Sequence, residues 1–139
     1  MEQSRERYYR GLFLVAAVYD VVLGITFTFF YQPAFDMLEV TPPEGGYIPL
    51  LGSFLFVIGV AYYLIWRGDL GRNRDMIFVG TIYKLAYASV ALTFWAMGDV
   101  PHVAFAAVFG IADVIFFLLM LECWLYLGRG QPEGVQATT

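Results

Sequence analysis

Three ionisable side chains lie inside stretches of sequence that are otherwise apolar. They are Asp20, Lys84 and Asp113. A charged side chain at the centre of a bilayer costs about 3 kcal/mol even on lenient insertion scales, so such residues usually face other helices and pair with one another. Two carboxyl groups and one amine leave one negative charge unbalanced. A proton, a cation or a polar ligand would complete such a cluster.

Helical spacing places the three charges at similar depths. Asp20 lies nine residues beyond Gly11, and Lys84 lies eight residues beyond Met76, where their apolar stretches begin. At a rise of about 1.5 Å per residue, both lie about 12–14 Å from the same membrane boundary, with Asp113 about one turn further away. Glycine and alanine share the helical face of each charge, as is typical where membrane helices pack closely. We therefore expect the three side chains to point inward and meet.

Two interpretations of this cluster remain open. In the first, Asp20, Lys84 and Asp113 form a ligand-binding or proton site, with Tyr19 and Tyr83 placed to hydrogen-bond nearby. In the second, Lys84 pairs with the aspartates only to fix the packing of the helices, because buried ion pairs are often retained without any catalytic role.

Other kinds of chemistry have little support in the sequence. The chain has one cysteine, Cys123, and one histidine, His102. These counts exclude an intramolecular disulfide, a Cys-x-x-Cys motif and bis-histidine haem ligation within one chain. Phosphate-binding, serine-hydrolase and zinc-protease motifs are missing from the sequence, which favours a protein that is not an enzyme and predicts no metal site. The low basic content argues against nucleic-acid binding.

The composition is that of a membrane protein. The 139 residues are 60% hydrophobic and 14% charged, whereas soluble domains average about 25% charged residues. Four stretches reach the length of about 20 apolar residues that a spanning helix needs, at 11–31, 48–66, 76–97 and 102–127. The sequence predicts an all-α fold, an integral membrane four-helix bundle in one domain over 1–127. A polar, disordered tail is expected over 128–139.

The positions of the arginines predict the orientation. Seven of the eight basic residues precede the first stretch, separate the second from the third, or follow the fourth. The positive-inside rule makes this side cytoplasmic and therefore puts both termini in the cytoplasm. Three of these residues are expected to contact anionic lipid head groups, namely Arg67, Arg72 and Arg74.

The first loop has the pattern of a short helix. Pro33 precedes Phe35 and Leu38, which predicts a short helix at the membrane interface.

The segments 18–21 and 82–85 are similar at a spacing of 64 residues. This match is explained by chance as readily as by a duplication of two helices.

Several short motifs together resemble a known group of proteins. The motifs are Tyr19-Asp20 before Leu23-Gly24, Gly59-Val60-Ala61-Tyr62-Tyr63, Arg72-Asn73-Arg74, and Gly80 through Lys84-Leu85-Ala86-Tyr87. Over residues 8–127 the chain resembles small four-helix bacterial membrane proteins of the DoxX-like kind. The resemblance implies a multi-pass protein of the bacterial inner membrane. Some DoxX relatives are linked to quinone-dependent oxidation, which implies a hydrophobic cofactor, but this chain lacks the cysteines of similar-looking quinone reductases.

The predicted function is a non-catalytic binding or accessory protein for a hydrophobic small molecule, either a lipid or a quinone. The charge cluster would form the polar end of its pocket. One alternative is a small oligomeric transporter or proton-coupled channel, although no proline except Pro49 interrupts the helices. Another is a structural subunit of a larger membrane complex. The expected partners are the lipid bilayer, the small molecule, and a second copy of the chain or another membrane subunit.

Overall fold

The computed structural model describes residues 2–130, and this part of the chain is helical without strands. The helices are α1 (Gln3–Phe29), α2 (Tyr31–Met37), α3 (Tyr47–Arg67), α4 (Arg74–Ala96) and α5 (Val103–Arg129). All but α2 are long and apolar enough to cross a membrane, which agrees with the predicted all-α fold and its four spanning stretches. The polar tail was predicted to begin at residue 128, but Gly128 and Arg129 still belong to α5, and the chain from residue 131 onward lies outside the described residues.

Helix α1 begins eight residues before the predicted apolar stretch, at Gln3. Glu6 and Arg10 lie one turn apart in this added segment, and their charged groups are 2.8 Å apart. Such pairs stabilise an exposed helix. The apolar stretch therefore marks the part of α1 that suits lipid, while the helix itself continues beyond it.

The short helix predicted in the first loop is present as α2. Its Phe35 is buried, with its ring 6.3 Å from that of Phe27 in α1 and 5.4 Å from that of Phe105 in α5. The loop then returns to α3 through Gly46, whose φ of 76° is left-handed and favours glycine. Helix α2 thus covers one end of the bundle.

Helices α1 and α3 pack backbone to backbone. A Cβ atom added to Gly24 would lie 2.5 Å from the backbone nitrogen of Phe56, and one added to Gly52 would lie 2.5 Å from that of Thr28. Glycine at such positions lets membrane helices approach closely. Gly24 and Gly52 therefore let α1 and α3 pack closely as one hairpin.

The bundle consists of two hairpins. Helix α1 packs mainly against α3, and α4 mainly against α5. Side-chain hydrogen bonds join the two hairpins, including one from the Tyr62 hydroxyl to the carbonyl oxygen of Gly80 (2.8 Å) and one from the Tyr9 hydroxyl to Glu122 (3.2 Å). The charged residues singled out in the sequence lie along this junction.

The close approach of α1 and α3 predicts a position-dependent effect of alanine. Gly52→Ala should destabilise the protein by about 1–3 kcal/mol because the added methyl group overlaps the α1 backbone. Gly11→Ala is the matched control, since nothing lies within 4 Å of its added Cβ and alanine favours helix by about 1 kcal/mol. Thermal unfolding in mild detergent measures both, and equal melting temperatures would contradict the packing.

Candidate functional site

Asp20, Lys84 and Asp113 meet in the interior, each from a different helix. The Lys84 Nζ donates hydrogen bonds to Asp20 Oδ1 at 2.9 Å and to Asp113 Oδ1 at 3.0 Å. All three residues are at most 1% exposed. The structure therefore brings together the three charges that sequence spacing had placed at one depth, and we call them the charge triad.

Four aromatic rings surround the ammonium group of the charge triad. Its Nζ lies 5.0 Å from the ring centroid of Phe116, and 5.4, 5.7 and 5.8 Å from those of Tyr19, Tyr62 and Tyr83. Aromatic faces attract cations, most strongly where water is excluded. The rings thus add to the attraction of the two carboxylates and close the site.

Two of these four rings, Tyr62 and Phe116, were not predicted from the sequence to lie beside Lys84. Tyr62 carried a usable signal, since it continues the buried stripe of Leu55 and Gly59 on α3 at helical spacing. Phe116 carried none, because phenylalanine is equally suited to a lipid-facing position.

The two tyrosines expected to hydrogen-bond at the site behave differently. The Tyr19 hydroxyl donates to the carbonyl oxygen of Val108 at 2.8 Å, so Tyr19 presents its ring, and not its hydroxyl, to Lys84. The Tyr83 hydroxyl is buried without a hydrogen-bond partner among the described residues. Its ring packs on that of Tyr87, with centroids 4.6 Å apart.

One oxygen of the charge triad has no aligned hydrogen-bond donor among the described residues. Asp20 Oδ2 is buried and lies 2.8 Å from the Lys84 Nζ, as an ion pair without hydrogen-bond geometry. With two carboxylates and one ammonium, the fully charged triad also holds an excess negative charge. A proton taken up by one carboxyl group would balance that charge and supply a hydrogen-bond donor.

The start of α5 departs from regular α-helical geometry. Residues Ala106–Ile111 form a π-helix, and the α-helix resumes at Ala112, immediately before Asp113. Such segments are rare in proteins as a whole, but those that occur are often found at functional sites. Val108, which accepts the Tyr19 hydrogen bond, lies within it. The sequence did not predict this segment, because the chain has no proline there that would mark an irregular helix.

A largely apolar cavity of about 530 Å³ lies at the end of the bundle away from the arginines. It is lined by Phe35, Pro43, Ile48, Leu51, Ala86, Tyr87, Val90, Ala91, Phe94, Asp99, Val100, Pro101, Phe105, Ala106 and Phe109. None of these residues belongs to the charge triad, which was expected to form the polar end of a pocket. Tyr87 connects the two regions, because it lines the cavity and packs on Tyr83.

The arginines at the other end fall into two groups. Arg67 and Arg72 are exposed, as contact with lipid head groups would require. Arg74 is partly buried, donates to the carbonyl oxygen of Trp124 at 3.3 Å and lies over its ring at 4.4 Å. Arg10, which sequence analysis did not single out, likewise donates to the carbonyl oxygen of Trp66 at 2.7 Å.

No group of three or more histidine, cysteine, aspartate or glutamate residues that could hold a metal ion occurs within residues 2–130. Comparison with protein-family models, with curated proteins and with solved structures found no match.

The charge balance of the triad predicts an unusual order of stabilities. Lys84→Met should cost about 3–5 kcal/mol, because it leaves two carboxyl groups buried without their cation. Asp113→Asn should cost much less, since a triad with one carboxylate and one ammonium is neutral. Thermal unfolding in mild detergent compares the two variants. A Lys84→Met protein that melts with the wild type would show that the triad does not stabilise the fold.

Proposed function

We propose that this protein binds one hydrophobic small molecule, a lipid- or quinone-like compound, in the apolar cavity, and that it serves as a binding or accessory protein and not as an enzyme. The single observation that carries the proposal is the cavity itself. At about 530 Å³, lined by fifteen residues of which one is charged, it has the size and lining typical of small-molecule sites.

The position of the cavity suits a ligand that arrives through the bilayer. Helices α3 and α4 both line it, and on α4 Val90 is 59% exposed and Phe94 45% exposed on a face apolar enough for lipid. A hydrophobic molecule dissolved in the membrane would reach the site without crossing water. Such access supports a ligand that partitions into lipid over a polar metabolite.

The charge triad has a supporting role in this proposal. It joins α1 to α4 and α5 across the junction of the hairpins. Tyr83, whose ring centroid lies 5.8 Å from the Lys84 Nζ, packs on Tyr87 of the cavity wall. By holding the hairpins together, the charge triad keeps the cavity walls in place. Because Tyr87 packs on Tyr83 and also lines the cavity, a change in the position of the triad would also shift the wall that the ligand contacts.

We further propose that this is a DoxX-like, multi-pass protein of the bacterial inner membrane with both termini in the cytoplasm. The four potential spanning helices support the multi-pass arrangement, and the arginines at one end support the orientation.

Native mass spectrometry of gently solubilised protein, followed by extraction of bound molecules, tests the binding. The wild type should carry a stoichiometric small molecule, and Ala86→Phe with Val90→Phe should lose it because the larger side chains fill the cavity. Val57→Phe is the control, since Val57 is 65% exposed on α3 and does not line the cavity. A wild type that carries only bulk lipid, equally in all variants, would contradict the proposal.

A second candidate function, proton-coupled transport, is favoured by the π-helix beside Asp113. An irregular segment next to an ionisable group with an excess negative charge is a reasonable setting for proton uptake linked to a helix movement.

Proton flux into proteoliposomes tests this second function. The wild type should acidify or alkalinise the vesicle interior under a membrane potential, and Asp20→Asn and Lys84→Ala should reduce the rate at least tenfold, since they change the charge that the triad must balance. Gly11→Ala serves as a control with an intact triad. Equal rates for all of these proteins would exclude transport through the triad.

A further inference from the structure

The end of the molecule that holds the cavity carries negative charge only. Four carboxylates occur in the connections at this end: Asp36, Glu39, Glu44 and Asp99. All eight lysines and arginines lie elsewhere, seven at the opposite end and Lys84 in the charge triad. An uneven distribution of this kind creates a field that selects ligands by the sign of their charge.

Asp99 is the point where this charge meets the cavity. Among the described residues it is the one charged member of the cavity lining, and it is exposed, so it stands at the mouth. Within residues 2–130, neither Asp99 nor the other three carboxylates forms a salt bridge. Two of the others directly follow the lining residues Phe35 and Pro43 in the chain. The charge at the mouth is thus not neutralised within the described part of the protein.

The histidine beside the mouth forms no salt bridge with these carboxylates within the described residues. The Nδ1 of His102 accepts a hydrogen bond from the backbone nitrogen of Ala104 at 3.0 Å and so caps the start of α5.

The aromatic residues of the cavity lining, like the carboxylates, bear on the charge of the ligand. Five of the fifteen lining residues are aromatic: Phe35, Tyr87, Phe94, Phe105 and Phe109. An aromatic ring attracts a cation where it presents its face. The wall of the cavity therefore offers groups that suit the ligand charge favoured at the mouth.

We propose that the ligand of this cavity is an amphipathic cation, with an apolar body among the aromatic residues and an ammonium or similar cationic group beside Asp99. This inference rests on the proposed function, because it assumes that the cavity binds a small molecule. It narrows the lipid-like ligand to one with a cationic head. A lipid with an anionic head group would place like charges together at the mouth and is disfavoured.

Three fluorescent probes with the same rod-shaped apolar body test the inference. They are diphenylhexatriene, its trimethylammonium derivative and its propionate derivative. Binding is measured in uncharged maltoside micelles as probe emission on tryptophan excitation. The variant Ala86→Phe with Val90→Phe supplies the background from probe dissolved in the micelle, because its cavity is filled.

We expect the cationic probe to bind most tightly and the anionic probe most weakly. Asp99→Asn should weaken binding of the cation about fivefold, the upper range for an exposed ion pair, and leave the neutral probe unchanged. Added salt should weaken binding of the cation to the wild type, since exposed charges are screened. Asp75→Asn is the matched control, because it removes the same charge from an exposed position at the arginine end.

The outcomes separate the two proposals. Cavity-dependent binding of all three probes with equal affinity, or an Asp99→Asn protein that binds them as the wild type does, would overturn the cationic ligand and leave hydrophobic binding intact. A loss of affinity for all three probes in Asp99→Asn would also overturn it, since that pattern marks a change of shape and not of charge. Signals that are identical in the wild type and the cavity-filled variant would overturn both proposals.

Discussion

The arrangement of the helices depends on one lysine that is fully removed from water. Lys84 contributes the cation, and α1 and α5 each contribute a carboxylate, so three helices are tied together at one point. In a low-dielectric interior, removing the lysine would leave two carboxyl groups buried without their cation, so the contact depends more on Lys84 than on either carboxylate. The same region brings Tyr83, beside Lys84, against Tyr87 in the cavity wall, so the wall of the apolar site is in contact with the surroundings of the triad.

The sequence predicted the fold and the triad because both depend on patterns that lipid imposes. Apolar stretches of sufficient length mark the spanning helices, and charges within them at matching depths are expected to meet. Asp20, Lys84 and Asp113 followed from this reasoning. The π-helix at Ala106–Ile111 did not, because it depends on how the α5 backbone fits its neighbours and no residue type encodes it. The cavity could not be predicted either, since alanine, valine and phenylalanine line pockets and face lipid with equal ease.

The charge triad and the cavity lie apart, although the sequence predicted a single pocket with the triad as its polar end. The triad is enclosed by aromatic rings, with Phe116 nearest at 5.0 Å, whereas the cavity opens at the surface where Asp99 lies. Because the two are separate, the charges of the triad are paired with one another, while the proposed ligand site has its own charge at Asp99. The contact between Tyr83 and Tyr87 is the route by which one would influence the other.

The arginines at the ends of the hairpins have a consequence for assembly. Arg10 and Arg74 are 64 residues apart, and each donates to a tryptophan carbonyl on the second helix of its own hairpin. Asp20 and Lys84 are separated by the same 64 residues. The first hairpin brings one carboxylate to the triad, whereas the second brings both the cation and a carboxylate. A first hairpin paired with its own copy would set Asp20 against Asp20 without a cation, so the interior charge of the first half of the chain requires the lysine of the second.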